Sequence, residues 1–169
     1  MKKSLLVVVG LTMGLLGCAK AGEWETDFAK ASELAKKDGK HMLLDFTGSD
    51  WCGWCMKLDK EVFKKTEFKD YAKQSLVLVQ LDFPHQKQLS KKVKEQNAKL
   101  AAKYQIKGYP SIIILSPEGE LVGQTGYQEG GPEKYVEMLK GMIGKGKPAG
   151  EAAPATETKK PVKKPSKGK

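Results

Sequence analysis

The stretch Asp45-Phe46-Thr47-Gly48-Ser49-Asp50-Trp51-Cys52-Gly53-Trp54-Cys55 decides how this chain is read. It grows out of a short apolar run, His41-Met-Leu-Leu-Asp-Phe46, of the length and composition of a buried strand. The small and polar residues 47–50 form a loop, and a helix is expected from near Cys52 to about Phe63. Two cysteines three positions apart at a strand-to-helix junction can be bridged, because one helical turn brings their side chains together. A cysteine at the helix start meets free backbone N–H groups and the positive end of the helix dipole, which favours its thiolate. An ordinary thiol, with a pKa of about 8.5, is only a few per cent ionised at neutral pH, whereas such sites bring the value to about 7 or below. Cys52 is therefore the expected nucleophile, attacking a partner's disulfide. Cys55, a turn deeper, is the expected resolving thiol that closes the internal bond.

Outward from this stretch the pattern alternates. Residues 24–37 place Trp24, Phe28, Ala31, Leu34 and Ala35 three and four apart, which predicts a helix ended by Asp38-Gly39. Thr66 is expected to cap a short helix reaching Lys73. Leu76–Phe83 reads as a strand, 87–104 as a helix, Ser111–Leu115 and Leu121–Tyr127 as strands about the turn Pro117-Glu-Gly119, and Pro132 to Ile143 as a last helix. Strands and helices in this order imply an α/β domain, a mixed sheet covered on both faces.

Trp51-Cys52-Gly53-Trp54-Cys55 after one apolar strand, with Gly108-Tyr109-Pro110 before another, resembles the thioredoxin fold family over roughly residues 24–143. The likeness is greatest to extracytoplasmic thioredoxin-like domains, including the terminal domain of the periplasm's transmembrane reductant transporter. The resemblance implies a thioredoxin fold and a redox-active disulfide between Cys52 and Cys55. It implies that Pro110 is a cis-proline facing that disulfide, with the Tyr109 backbone free to pair with an extended substrate. Asp45 matches the buried acid that relays the proton of the resolving cysteine, although it stands seven positions before Cys52 where the common pattern has six. Gly53-Trp54 replaces the usual Gly-Pro, and the lysine that often accompanies the acid has no match, Gln80 lying nearest. Trp51, Trp54 and Tyr109 are the expected substrate contacts, Trp54 as an exposed platform.

The expected function is a thiol–disulfide oxidoreductase that reduces or isomerises protein disulfides and takes electrons from a thiol donor, as a monomer with no cofactor and no metal. The alternative is a non-catalytic metal or cofactor-assembly chaperone, since two thiolates can hold a soft ion such as Cu(I). Zinc would need His41 and His85 as further ligands, and no second paired motif exists. A purely structural disulfide would close too small a loop to stabilise much.

The ends carry a different message. Met1-Lys2-Lys3, an apolar run from Leu5 to Leu16 and Leu15-Leu16-Gly17-Cys18 have the form of an export signal, and the tetrapeptide resembles the bacterial lipobox. That resemblance implies removal of residues 1–17, lipidation of Cys18 and anchoring in the cell envelope through an 18–23 linker. Ala19, in place of an Asp retention signal, favours the outer membrane where one exists. Residues 144–169, rich in Lys, Pro and Ala, lack the apolar bulk to repay ordering and are expected to be disordered. The net charge of +10 sits mostly in these ends: residues 21–143 hold 19 Lys and 18 acids. There is no Arg, which removes bidentate recognition of phosphate and guanine and argues against a nucleic-acid partner.

Overall fold

A computed structural model describes residues 22–145. The leader 1–17, Cys18 and most of its linker, and the basic segment from 146 onward lie outside the described residues. The elements are β1 (Trp24–Glu25), α1 (Phe28–Asp38), β2 (His41–Thr47), α2 (Gly53–Leu58), a π-helical turn (Asp59–Phe63), α3 (Thr66–Ser75), β3 (Leu76–Asp82), α4 (Lys91–Lys103), β4 (Ser111–Leu115), β5 (Leu121–Thr125) and α5 (Gly131–Lys145). The five strands make one mixed sheet in the order β1-β3-β2-β4-β5. β3 runs parallel to β1 and β2, while β4 runs antiparallel to β2 and β5.

The central strands read as unbroken apolar runs because helices cover both faces. Period-two alternation sends Leu43, Leu78, Ile112 and Ile114 to one face, against Leu58, Val62, Phe63, Phe68 and the α5 residues Tyr135 and Leu139. Met42, Leu44, Phe46, Val79, Leu81 and Ile113 point to the other, against Ala31 and Ala35 of α1 and Leu100 of α4. Most of these side chains are fully buried, each of the larger aliphatic and aromatic ones stabilising the fold by about 1.5–3 kcal/mol. Asp45, Thr47, Gln80 and Asp82 continue the first face toward the C-terminal ends of β2 and β3, paired in register as Asp45 with Gln80 and Thr47 with Asp82. Polar residues thus replace the core on the face and at the end where α2 begins.

Several boundaries differ from the sequence reading. Trp24 and Glu25 form a strand, not the first turn of a helix. Trp24 lies beside Leu78 and packs its ring 5.2 Å from Phe63. The helix begins only after Asp27, whose carboxylate accepts the N–H groups of Ala29 and Lys30 at 3.0 and 3.3 Å. The helix after the cysteines is not continuous α-helix to Phe63 but loosens into the π turn at Asp59. Thr66 is the first residue of α3, not its cap, which is Lys65 with no side-chain bond. α4 starts at Lys91 because Ser90 Oγ accepts the Val93 N–H, and β3 stops at Asp82, leaving 83–90 as a loop.

Candidate active site

Cys52 occupies the N-cap of α2, directly beyond the loop that leaves β2. It is joined by a disulfide to Cys55, with Cα atoms 5.2 Å apart. The Cys55 N–H donates to Cys52 Sγ at 3.2 Å, so a helix-terminal amide already points at the sulfur that would carry negative charge after reduction. The loop holds its shape through the Cys52 N–H bonded to Gly48 O at 2.9 Å. Only glycine fits at 48, since a Cβ there would lie 2.5 Å from the Trp51 ring. Both cysteines are nearly buried, 6% and 4% exposed, so depth does not separate them. Their surroundings do.

Behind Cys55 lies a hollow of about 280 Å³, lined with Asp45, Thr47, Asp59, Lys64 and Gln80. Asp45 is buried and its Oδ1 has no hydrogen-bond partner. Burial, followed by the charges of Asp59 and Asp82, raises its pKa to about 8. A proton-holding carboxyl therefore shares a cavity with the expected resolving cysteine. Asp59 pairs with Lys64 at the cavity mouth.

In front, Tyr109–Pro110 is a cis peptide. Ser111, the next residue, pairs with Phe46, which sets Pro110 beside the end of β2 from which the cysteine loop departs. Trp51 is 41% exposed, yet its ring is engaged on several sides. Its Nε1–H donates to Phe83 O at 2.8 Å, His85 stacks on it at 4.5 Å and 5°, and Tyr109 meets it edge-on at 5.7 Å. Trp54 is the more open, 57% exposed, with Tyr127 at 5.2 Å and Lys57 Nζ 5.1 Å above its ring. Tyr127 Oη donates to Glu61 at 2.7 Å.

The sequence reading named Cys52, Cys55, Asp45, Trp51, Trp54, Tyr109 and Pro110, and the fold gathers all of them at one end of β2 and β4. Cys18 lies outside the described residues. His41 and His85 sit at opposite ends of the parallel strand pair, His41 opening β2 and His85 following β3, so they do not converge on the cysteines as ligands. No group of three or more His, Cys, Asp or Glu side chains arranged to hold a metal occurs among the described residues. Sequence reasoning missed His85 as a neighbour of Trp51, Asp50 as the group that places it, and Asp59 as the charge facing Asp45. The available signals were a carboxylate directly before Trp51, a histidine just past a strand end, and an acid one turn beyond Cys55.

The model of the thioredoxin-like domain matches residues 28–143. The chain is 35% identical over 121 residues to the disulfide bond reductase DsbH of Chlamydia pneumoniae, covering 72% of each. It is 32% identical over 124 residues to the thiol:disulfide interchange protein DsbD 2 of Pseudomonas aeruginosa, 70% of this chain but only 20% of that protein. A solved structure of a DsbH oxidoreductase superposes with a TM-score of 0.70 at 32% identity, covering 80% of this chain and 94% of that one. With the fold, the bridged cysteines and these likenesses in agreement, the chain belongs to the thioredoxin-like domain family, in the class of thiol–disulfide oxidoreductases.

Proposed function

We propose that this protein is a lipid-anchored, extracytoplasmic oxidoreductase that reduces or isomerises disulfides of exported proteins, acting as a monomer without a dissociable cofactor. The observation that carries the reading is the Cys52–Cys55 disulfide at a helix N-terminus beside the cis Tyr109–Pro110 peptide. In the reducing direction the Cys52 thiolate attacks one sulfur of a client disulfide, forming a mixed disulfide and releasing a client thiolate. Cys55, its proton taken by the ionised fraction of Asp45, then attacks Cys52 Sγ and releases the second client thiolate. Two electrons have moved to the client, whose thiolates take up two protons, and a thiol donor restores the pair. Pro110 offers no N–H to compete for the sulfur, and the Tyr109 backbone is placed to pair with an extended client.

The working domain is residues 24–143. The leader 1–17 and the Leu15-Leu16-Gly17-Cys18 tetrapeptide support anchoring through Cys18, with 18–23 as a short linker, an outer-membrane location favoured by Ala19, and the basic segment 144–169 as a spacer or electrostatic tether. The purified protein should reduce insulin disulfides in the presence of dithiothreitol, and Cys52→Ser should abolish the acceleration. Cys55→Ser should accumulate mixed disulfides with envelope proteins on non-reducing gels. Equal rates for Cys52→Ser and the unaltered protein would end the reading.

A further inference from the structure

The loop 83–87, which follows β3, is fastened to the cysteine loop by a set of bonds that the disulfide chemistry does not require. Asp50 Oδ1 accepts the His85 N–H at 2.9 Å, and Oδ2 accepts the Gln86 and Lys87 N–H groups at 2.8 and 3.1 Å. These three backbone donors hold the Asp50 carboxyl below the usual carboxylate range, so the clasp is ionised at neutral pH. A second clasp lies one residue earlier, where Ser49 N–H and Oγ–H both donate to Asp82 at 2.9 and 2.6 Å. The product is the flat stack of His85 on Trp51, continued edge-on to Tyr109, the residue of the cis peptide. His85 itself is solvent-exposed. It forms the outer layer of a wall whose inner layer is joined directly to Cys52.

We propose that His85 is a specificity-determining residue for protein clients and that Asp50 is the positioning residue that holds it there. The proposal rests on the reading of the site as one that exchanges disulfides with proteins. A client strand lying along the Tyr109 backbone runs beside the Trp51–His85 wall, because Tyr109 meets Trp51 edge-on. Because His85 covers a face of Trp51, the client meets an imidazole edge, able to donate or accept a hydrogen bond, where it would otherwise meet bare indole. Loss of Asp50 frees three consecutive N–H groups, and the 83–87 loop no longer has a reason to hold the ring in that plane.

The test compares a protein disulfide with a small one. In the purified protein, Asp50→Ala and His85→Ala should each raise KM for insulin about fivefold with kcat held within about twofold, the scale expected for one stacking and hydrogen-bonding contact. Reduction of hydroxyethyl disulfide, too small to reach the wall, should change far less than insulin reduction. His85→Phe keeps a flat ring but no hydrogen bond, so a KM between those of the original and His85→Ala separates stacking from polar recognition. Asp50→Ala should also shift the Trp51 emission, read in a Trp24→Phe, Trp54→Phe background. An unchanged KM for insulin in His85→Ala overturns the proposal, and so does an equal loss on both substrates, which marks a general structural defect. If the unaltered protein reduces neither substrate, the underlying functional reading fails instead.

Discussion

Asp45 and Asp82 sit on neighbouring parallel strands, on the same face of the sheet, each 6% exposed. One is held and the other is left. Asp82 receives the N–H and the hydroxyl of Ser49 and so ties the cysteine loop to β3. Asp45, two residues before Asp82's cross-strand neighbour Thr47, has an oxygen with no partner and faces a cavity instead. Equal burial has produced a structural brace in one place and a proton store in the other. What separates them is the supply of donors, since an ionised carboxylate withdrawn from water is tolerated only where N–H or O–H groups replace the water.

The widest separation between the two acids should appear in stability against pH. Asp45 has a folded pKa of about 8, well above the value near 4 it would have in the unfolded chain. Between those values the folded state keeps a proton that the unfolded state has lost, so stability falls as pH rises. The contribution is fully present below about pH 4 and gone above about pH 8, a total of about 5 kcal/mol. In Asp45→Asn this slope should vanish, leaving the variant more stable than the unaltered protein at pH 8, as urea midpoints across pH would report. A slope that survives the substitution would show that another group carries the titration.

Removing the brace should act in the opposite direction and by less. Asp82→Ala leaves the Ser49 amide and hydroxyl without their acceptor, at a cost of about 1–3 kcal/mol. Urea denaturation at pH 7 should show the loss, and Asp82→Asn, which keeps an acceptor oxygen, should recover part of it. A neutral Asp82→Ala would mean that water serves Ser49 equally well and that the brace is incidental.

The contrast also marks where sequence reading reaches. The strands over 41–46, 76–83 and 111–115 were legible because burial on both faces leaves a continuous apolar run, and the cysteine pair was legible from its spacing at a strand-to-helix junction together with Gly108-Tyr109-Pro110 ahead of a later strand. Asp45 stood out as the one charge inside such a run. Asp82 did not, because at a strand end an acid looks like the start of a loop. Trp24–Glu25 could not be read as a strand, since two residues carry no periodicity and their pairing depends on Leu78 and Val79 more than fifty positions away. The π turn, which buries Val62 and Phe63 in the core, has no counterpart in the local apolar spacing. The His85–Trp51 stack depends on backbone donors that lie 35 to 37 positions from Asp50, a distance no local pattern encodes.

The finest distinction concerns what tunes Asp45 once its burial is given. After burial, the charge of Asp59 is the next cause of the raised pKa, ahead of Asp82 itself. Asp59 opens the π turn across the hollow and is paired with Lys64, and both are partly exposed, so its influence is screened by water and by its partner. Asp59→Asn removes a like charge, so the Asp45 midpoint should move to lower pH. Lys64→Met removes the cation that offsets Asp59, so the midpoint should move to higher pH. The carboxyl carbon-13 shift of Asp45 followed through a pH titration would read both displacements directly. Opposite displacements tie the proton affinity of Asp45 to the pair at the cavity mouth, whereas two variants that leave the midpoint in place would assign the whole elevation to burial.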